Sequence, residues 1–155
     1  MKEEIQKFFK GDVHDDNETL TKYSRDASVF TVRPKLVLFP KDSEDVQKIV
    51  RFVSYTKNAH PELSITARAA GTCMSGGALS ESIILDFTRY MNHLVKFIDH
   101  IPQKNSTPIS GDSFSITVQP GMFYRDFEKI TLEKGLILPC YTASKSLNAM
   151  GGMYG

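Results

Sequence analysis

The chain has little of what marks most specialised protein classes. Its 155 residues carry 19 Lys and Arg against 18 Asp and Glu, a formal net charge of +1. No surplus of positive charge is available to hold nucleic acid or an anionic membrane surface. No apolar run approaches the roughly 18 residues that a membrane span requires. The first residues, Met1-Lys-Glu-Glu-Ile5, place acids where a signal peptide has a basic stretch and then an apolar one, so a cytoplasmic location is expected. There are two cysteines, Cys73 and Cys140, with neither CxxC spacing nor clustered histidine. That pattern predicts no metal site and, in a reducing compartment, no structural disulfide. There are no internal repeats and no low-complexity tracts.

What is present is the composition of an ordinary folded domain: 41% apolar and 24% charged residues, in a length sufficient for one core. Glu3–Lys10 predicts a short helix with Ile5, Phe8 and Phe9 on one side, ended by Gly11. Asp12–Thr21 reads as a polar loop or weak helical turn, and Val29–Val32 as a strand. From Pro34 the pattern sharpens. Leu36-Val-Leu-Phe39, bounded by prolines, predicts a buried strand. Asp42 or Ser43 caps a helix reaching about Asn58, with Val46, Ile49, Val50 and Val53 on its buried face. Ser64–Ala67 and Ser82–Phe87 follow as strands. The first connection predicts a right-handed βαβ crossover. The link between the last two strands is too short for a crossover helix, so they need not be parallel. His93–Asp99 and Ser113–Gln119 predict an antiparallel pair. Pro120-Gly121 then leads into a helix with Phe123, Phe127 and Ile130 on one face, ended at Gly135.

Between the strands lies Arg68-Ala-Ala-Gly-Thr-Cys-Met-Ser-Gly-Gly77. Almost no side chain there keeps backbone N–H groups away from an anion. A phosphate or pyrophosphate is the indicated ligand, and a nucleotide cofactor the first function to test. No Gly-Lys-Ser/Thr follows, which excludes a Walker A loop. The spacing Gly71-x4-Gly76-Gly77, with a strand after it, excludes the GxGxxG dinucleotide fingerprint. The pattern alone also fits a glycine-rich hairpin without a ligand.

From Tyr23 to Gly155 the chain resembles the start of the FAD-linked oxidase family, whose members include vanillyl-alcohol oxidase, glycolate oxidase and D-lactate dehydrogenases. Tyr23-Ser-Arg-Asp-Ala27 is similar to the family's YSxDAS opening. Pro34–Pro40 with Asp45-Val46 resembles its P-x-x-V-V-x-P … E-D-V entry into the domain. Arg68–Gly77 resembles its pyrophosphate loop R-G-A-G-T-G-L-S-G-G. Ile84-Leu-Asp-Phe87 with Met91-Asn92, Val118-Gln-Pro-Gly121, and Gly151-Gly152 match further motifs in the same order. The related UDP-N-acetylenolpyruvoylglucosamine reductase, which shares this fold, is a third reading that the YSxDAS-like opening and the Ser-Gly-Gly ending of the loop disfavour.

The resemblance implies an α+β, PCMH-type FAD-binding fold. A small parallel βαβ subdomain is followed by a mainly antiparallel one, incomplete at its C-terminal end. Residues 1–33 would be a lead-in and residues 34–155 the FAD-binding domain. The implied cofactor is non-covalent FAD, since the loop has no histidine for a tether and Cys140 is wrongly spaced for one. The implied contacts are Arg68, Ala69, Ala70, Gly71, Thr72, Cys73, Met74, Ser75, Gly76 and Gly77, then Pro139, Ser144, Gly151 and Gly152. Ala69 and Cys73 stand where the family commonly has glycine. The implied activity is oxidation of a small alcohol or 2-hydroxy acid, lactate-like or glycolate-like, by hydride transfer to flavin. Catalytic residues would sit in a cap domain beyond this sequence. The ending at Met150-Gly-Gly-Met-Tyr-Gly155 reads as a fragment or truncated product, or as one half needing a partner chain.

Overall fold

A computed structural model describes residues 1–98 and 114–154. Along the chain run α1 (Lys2–Gln6), β1 (Asp12–His14), α2 (Asn17–Tyr23), β2 (Leu36–Phe39), α3 (Ser43–Thr56), β3 (Ile65–Arg68) and β4 (Ile83–Asp86). Then come β5 (Leu94–Ile98), β6 (Ser115–Val118), α4 (Tyr124–Leu132) and α5 (Met150–Met153). The expected strand ends at Asp99 and Ser113, and His100 with them, lie outside the described residues, as does Gly155.

The first four strands form one sheet in the order β1-β2-β4-β3. β2 and β4 are buried along their whole length, as continuous apolar runs in the middle of a sheet must be. Both faces are covered. Leu36, Leu38, Ile83 and Leu85 pack with Ile5, Phe9, Ile49 and Val53. Val37, Phe39 and Ile84 pack with Leu20 and Tyr23 on the other side.

That second cover is where the structure departs most from expectation. Asp12–Thr21 is more than a loop or weak helical turn: it holds β1, antiparallel to β2, and the start of the regular helix α2. Asp16 caps α2 by accepting the Thr19 N–H at 2.8 Å. Val29–Val32 is not a strand. Val29 is 94% exposed, and Val32 makes only a return hydrogen bond to the Ser24 carbonyl, at 2.9 Å.

α3 runs back across the sheet as the sequence predicts, with Asp42 as its cap, accepting from the Asp45 N–H at 3.0 Å. Its apolar face is rotated slightly from the expected one. Ile49 and Val53 are buried and Phe52 packs beside them, while Val50 is 50% exposed. The buried Asp45 carboxylate accepts the N–H groups of Lys10 and Lys41 at 2.8 and 3.0 Å, tying α3 to the chain before and after β2.

β4 lies between β2 and β3 and is parallel to both. The sequence left the orientation of β4 relative to β3 open, and it is parallel. The intervening loop contains no helix, yet it is long enough to return past two four-residue strands, each about 13 Å long. As a result Arg68 and Asp86 are register partners at the carboxyl ends of their strands. Ligands of open parallel sheets gather at that edge.

β5 and β6 form a separate antiparallel pair, with an irregularity between Leu94 and Lys96. Beneath it Met122, Tyr124, Phe127 and Met150 make a second core, against which Ile116, Val118 and Ile130 pack. Phe123, expected on that face, is instead the residue before α4 and pairs with Ala149. Gly121 joins the two halves. A Cβ there would overlap the Phe87 carbonyl, so only glycine fits the crossing.

Candidate functional site

The site begins with a brace. Tyr23, at the end of α2, donates its hydroxyl to Asp86 Oδ2 at 2.9 Å. Asp86 Oδ1 accepts the N–H and hydroxyl of Thr88 at 2.7 and 2.6 Å. Burial, then the Asp86 charge beside it, pushes the Tyr23 phenol well above its usual range. The hydroxyl therefore stays a donor. Over the Tyr23 ring, 5.0 Å from its centre, sits the Arg68 guanidinium. Arg68 Nη2 donates to the Arg25 carbonyl at 2.9 Å, and the Ala27 N–H donates to the Gly71 carbonyl at 3.1 Å. The Tyr23–Ala27 segment thus fixes both the base of the glycine loop and its one cation.

The loop makes its left-handed turns at Gly71 (φ 68°) and Gly76 (φ 79°). A Cβ on Gly71 would overlap the Arg68 guanidinium, and one on Gly76 would lie 3.0 Å from the Phe30 ring. Among the described residues, the backbone N–H groups of residues 70–74 and 76 have no hydrogen-bond acceptor. Buried Arg68 Nη1 also lacks a partner. Cys73 Sγ accepts the Gly77 N–H at 3.4 Å. Hydrogen bonds from the N–H groups of Ser75 and Gly77 hold its thiol below the ordinary range.

The facing wall comes from the end of the chain. The Tyr124 N–H donates to the Asn148 carbonyl at 3.0 Å, and the Met150 N–H to the Met122 carbonyl at 2.8 Å. The Gly151 N–H donates to the Pro120 carbonyl at 2.8 Å, and a Cβ on Gly151 would lie 2.9 Å from the Pro120 Cβ. A Cβ on Gly152 would stand 3.7 Å from that of Ala69, which is where the two walls meet.

Between them lies a cleft of about 510 Å³, within the range of small-molecule and cofactor sites. It brings together Arg68, Ala69, Ala70, Gly71, Thr72, Cys73 and Gly77 from the loop with Ser144, Gly151 and Gly152 from the facing wall. Met74, Ser75, Gly76 and Pro139 do not line it, and Met74 is 82% exposed. Thr142, Asn148, Phe87 and Pro120 do, and sequence reasoning did not name them as contacts. A polar residue immediately before Ala-Met-Gly-Gly was the available signal for Asn148.

Neither His14, His60 nor His93 borders the cleft. Among the described residues, no three His, Cys, Asp or Glu side chains are grouped to hold a metal, and no helix is long and apolar enough to cross a membrane. The donor set fits a diphosphate. It offers unpaired N–H groups, one orphaned guanidinium nitrogen and no carboxylate in the lining.

Comparison with known proteins agrees with that chemistry. The family model for the FAD binding domain matches residues 34–155. D-2-hydroxyglutarate dehydrogenase of Escherichia coli is 31% identical over 62% of this chain and 9% of its own length. The Stutzerimonas stutzeri enzyme of the same name is 28% identical over 94% of this chain and 28% of its own. The mitochondrial D-lactate dehydrogenase [cytochrome] 1 of Saccharomyces cerevisiae is 28% identical over 70% and 16%. The chain thus spans under a third of the length of these relatives.

Among solved structures, alkyldihydroxyacetonephosphate synthase superimposes with a TM-score of 0.71 at 17% identity, over 97% of this chain and 27% of that one. Aclacinomycin oxidoreductase superimposes with a TM-score of 0.59 at 17% identity, over 92% and 26%. These likenesses establish the PCMH-type FAD-binding fold, with its parallel and antiparallel parts. The chain belongs to the FAD binding domain family, and FAD is the cofactor of that family.

Proposed function

We propose that this chain is the FAD-binding part of an oxidoreductase that oxidises a small 2-hydroxy acid or alcohol, with FAD held non-covalently in the cleft. The observation that carries the reading is the orphaned Arg68 Nη1 beside a run of backbone N–H groups without acceptors. A buried donor left unpaired costs stability, and a diphosphate would satisfy Arg68 Nη1 together with N–H groups of the loop that line the cleft. When bound, FAD supplies a two-electron acceptor for hydride. Arg68 and the N–H groups of Ala70–Cys73 would hold its diphosphate. Gly151 and Gly152 would let the backbone approach it closely, and Thr72 and Ser144 would add hydroxyl donors. D-2-Hydroxyglutarate and D-lactate are the substrates named for relatives, so D-2-hydroxy acids are the class to test first. The proposed cofactor unit is residues 34–155, with residues 1–33 as a lead-in that braces its loop.

A second reading has its own support. Among the described residues the cleft lining contains no Asp, Glu, His or Lys, so no carboxylate, imidazole or amine there can take a proton from a substrate hydroxyl. On this reading the chain binds FAD, and a partner chain or further polypeptide supplies the proton acceptor. Two measurements test both readings. The purified chain is to turn yellow with FAD and release all of it on acid precipitation. Dye reduction with D-lactate and D-2-hydroxyglutarate then separates a competent enzyme from a binding part. A chain that keeps no FAD after gel filtration from saturating FAD contradicts both.

A further inference from the structure

Asn148 stands apart from the other polar groups of the cleft. It is 2% exposed. Its backbone is fixed twice, the N–H to the Ser144 carbonyl and the carbonyl to the Tyr124 N–H, both at 3.0 Å. Its Nδ2 donates to Thr142 Oγ1 at 2.6 Å, and Thr142 Oγ1 lies 3.3 Å from Ser144 Oγ. Asn148 Oδ1, buried in the same wall, has no partner. The buried side-chain atom that the glycine loop leaves unpaired at the lining, Arg68 Nη1, is a donor. Oδ1 is an acceptor, and the diphosphate of FAD has no proton to give it at neutral pH. A buried acceptor of this kind is satisfied by a hydroxyl or by water, at a cost to folding when neither is present. The flanking side chains support the orientation. With Nδ2 on Thr142, the Thr142 proton is free for Ser144, and the Ser144 proton is free for the cleft.

We infer that Asn148 Oδ1 accepts a hydroxyl proton from a sugar-alcohol part of bound FAD, and that Asn148 thereby selects a nucleotide over a bare diphosphate. The inference rests on the reading of this cleft as the FAD site. The hydroxyl belongs either to the ribityl chain on the flavin half or to the ribose on the adenosine half. The opposite amide orientation would present Nδ2 to the cleft and strengthen diphosphate binding instead.

The test is calorimetric titration of the full chain, wild type and Asn148→Ala, with FAD, FMN, ADP and inorganic pyrophosphate. The expected result is a rise of about tenfold in the FAD dissociation constant, the scale of one lost hydrogen bond. A similar loss is expected for FMN if the hydroxyl is ribityl, or for ADP if it is ribose. Pyrophosphate binding is expected to be unchanged. If alanine lowers the melting temperature of the ligand-free chain, Asn148→Ser is read in the same titrations. Unchanged FAD affinity in the variants overturns the inference and leaves the FAD site standing. Equal loss for all four ligands, pyrophosphate included, also overturns it, because Asn148 then acts only on the shape of the wall. A wild-type chain that binds no FAD overturns the FAD site and this inference together.

Discussion

The Arg68 guanidinium lies 5.0 Å above the centre of the Tyr23 ring, and this pair joins the N-terminal segment to the anion-binding loop. Tyr23 is itself anchored on Asp86, the strand partner of Arg68. The position of the one cation in the cleft therefore depends on a residue far upstream in the chain. Arg68→Ala is expected to weaken FAD binding by about 10- to 100-fold, the range for a charge-assisted hydrogen bond. The melting temperature of the ligand-free chain is expected to fall modestly, because the Nη2 bond to the Arg25 carbonyl and the contact with the Tyr23 ring are lost while Nη1 has no partner to lose. Fluorescence titration and a thermal melt read the two effects separately.

Tyr23→Phe removes the hydroxyl and leaves Asp86 Oδ2 buried without its donor. The expected cost is about 1–3 kcal/mol of folding stability, measured by urea unfolding. A change smaller than the error of that measurement would mean that Asp86 finds water or another donor when Tyr23 withdraws.

Two glycines separate lack of space from backbone strain. Gly121→Ala drives a Cβ into the Phe87 carbonyl, and both backbones there are fixed by hydrogen bonds. A loss of about 2–3 kcal/mol is expected. Gly135 ends α4 at φ 70° with nothing within 4 Å of a Cβ. Gly135→Ala is expected to cost about 1 kcal/mol, the strain of a left-handed residue alone. Equal losses in denaturant titrations would contradict the close approach at Gly121.

The Cys73 thiol accepts hydrogen bonds from the Ser75 and Gly77 N–H groups, which favour the anion and lower its pKa. The thiolate of the folded chain therefore forms at lower pH than that of the unfolded chain. The midpoint of Cys73 alkylation against pH is expected to shift down on folding. Cys73 also lines the cleft, so saturating FAD is expected to slow its alkylation. Peptide mapping after iodoacetamide treatment reads both effects.

The parts of the fold written in side-chain pattern were legible in the sequence. The run Leu36–Phe39, the period of Ile49 and Val53, and the glycine loop each state their structure locally. β1 and α2 do not. β1 has one buried residue, Val13, and α2 has only Leu20 and Tyr23. Neither is long enough to show a period: β1 exists as the edge strand paired with β2, and α2 covers the second face of the sheet. The parallel pairing of β4 was hidden because a loop without a helix looked too short to cross the sheet. Asn148 was hidden for a similar reason. In sequence it is a polar residue in a polar loop, and its burial follows from the pairing of Phe123 with Ala149. The glycine loop could be located in the sequence, though Met74, Ser75 and Gly76 do not line the cleft, and the facing wall depended on contacts distant in the chain.

The most direct test of the account is competition at the cleft. The full chain is titrated with FAD alone and then in the presence of inorganic pyrophosphate, for wild type and for Arg68→Ala. The account predicts one FAD per chain, displaced by pyrophosphate in the wild type, with both affinities reduced together by the substitution. FAD binding that pyrophosphate does not displace, or that Arg68→Ala leaves unchanged, would contradict the diphosphate site.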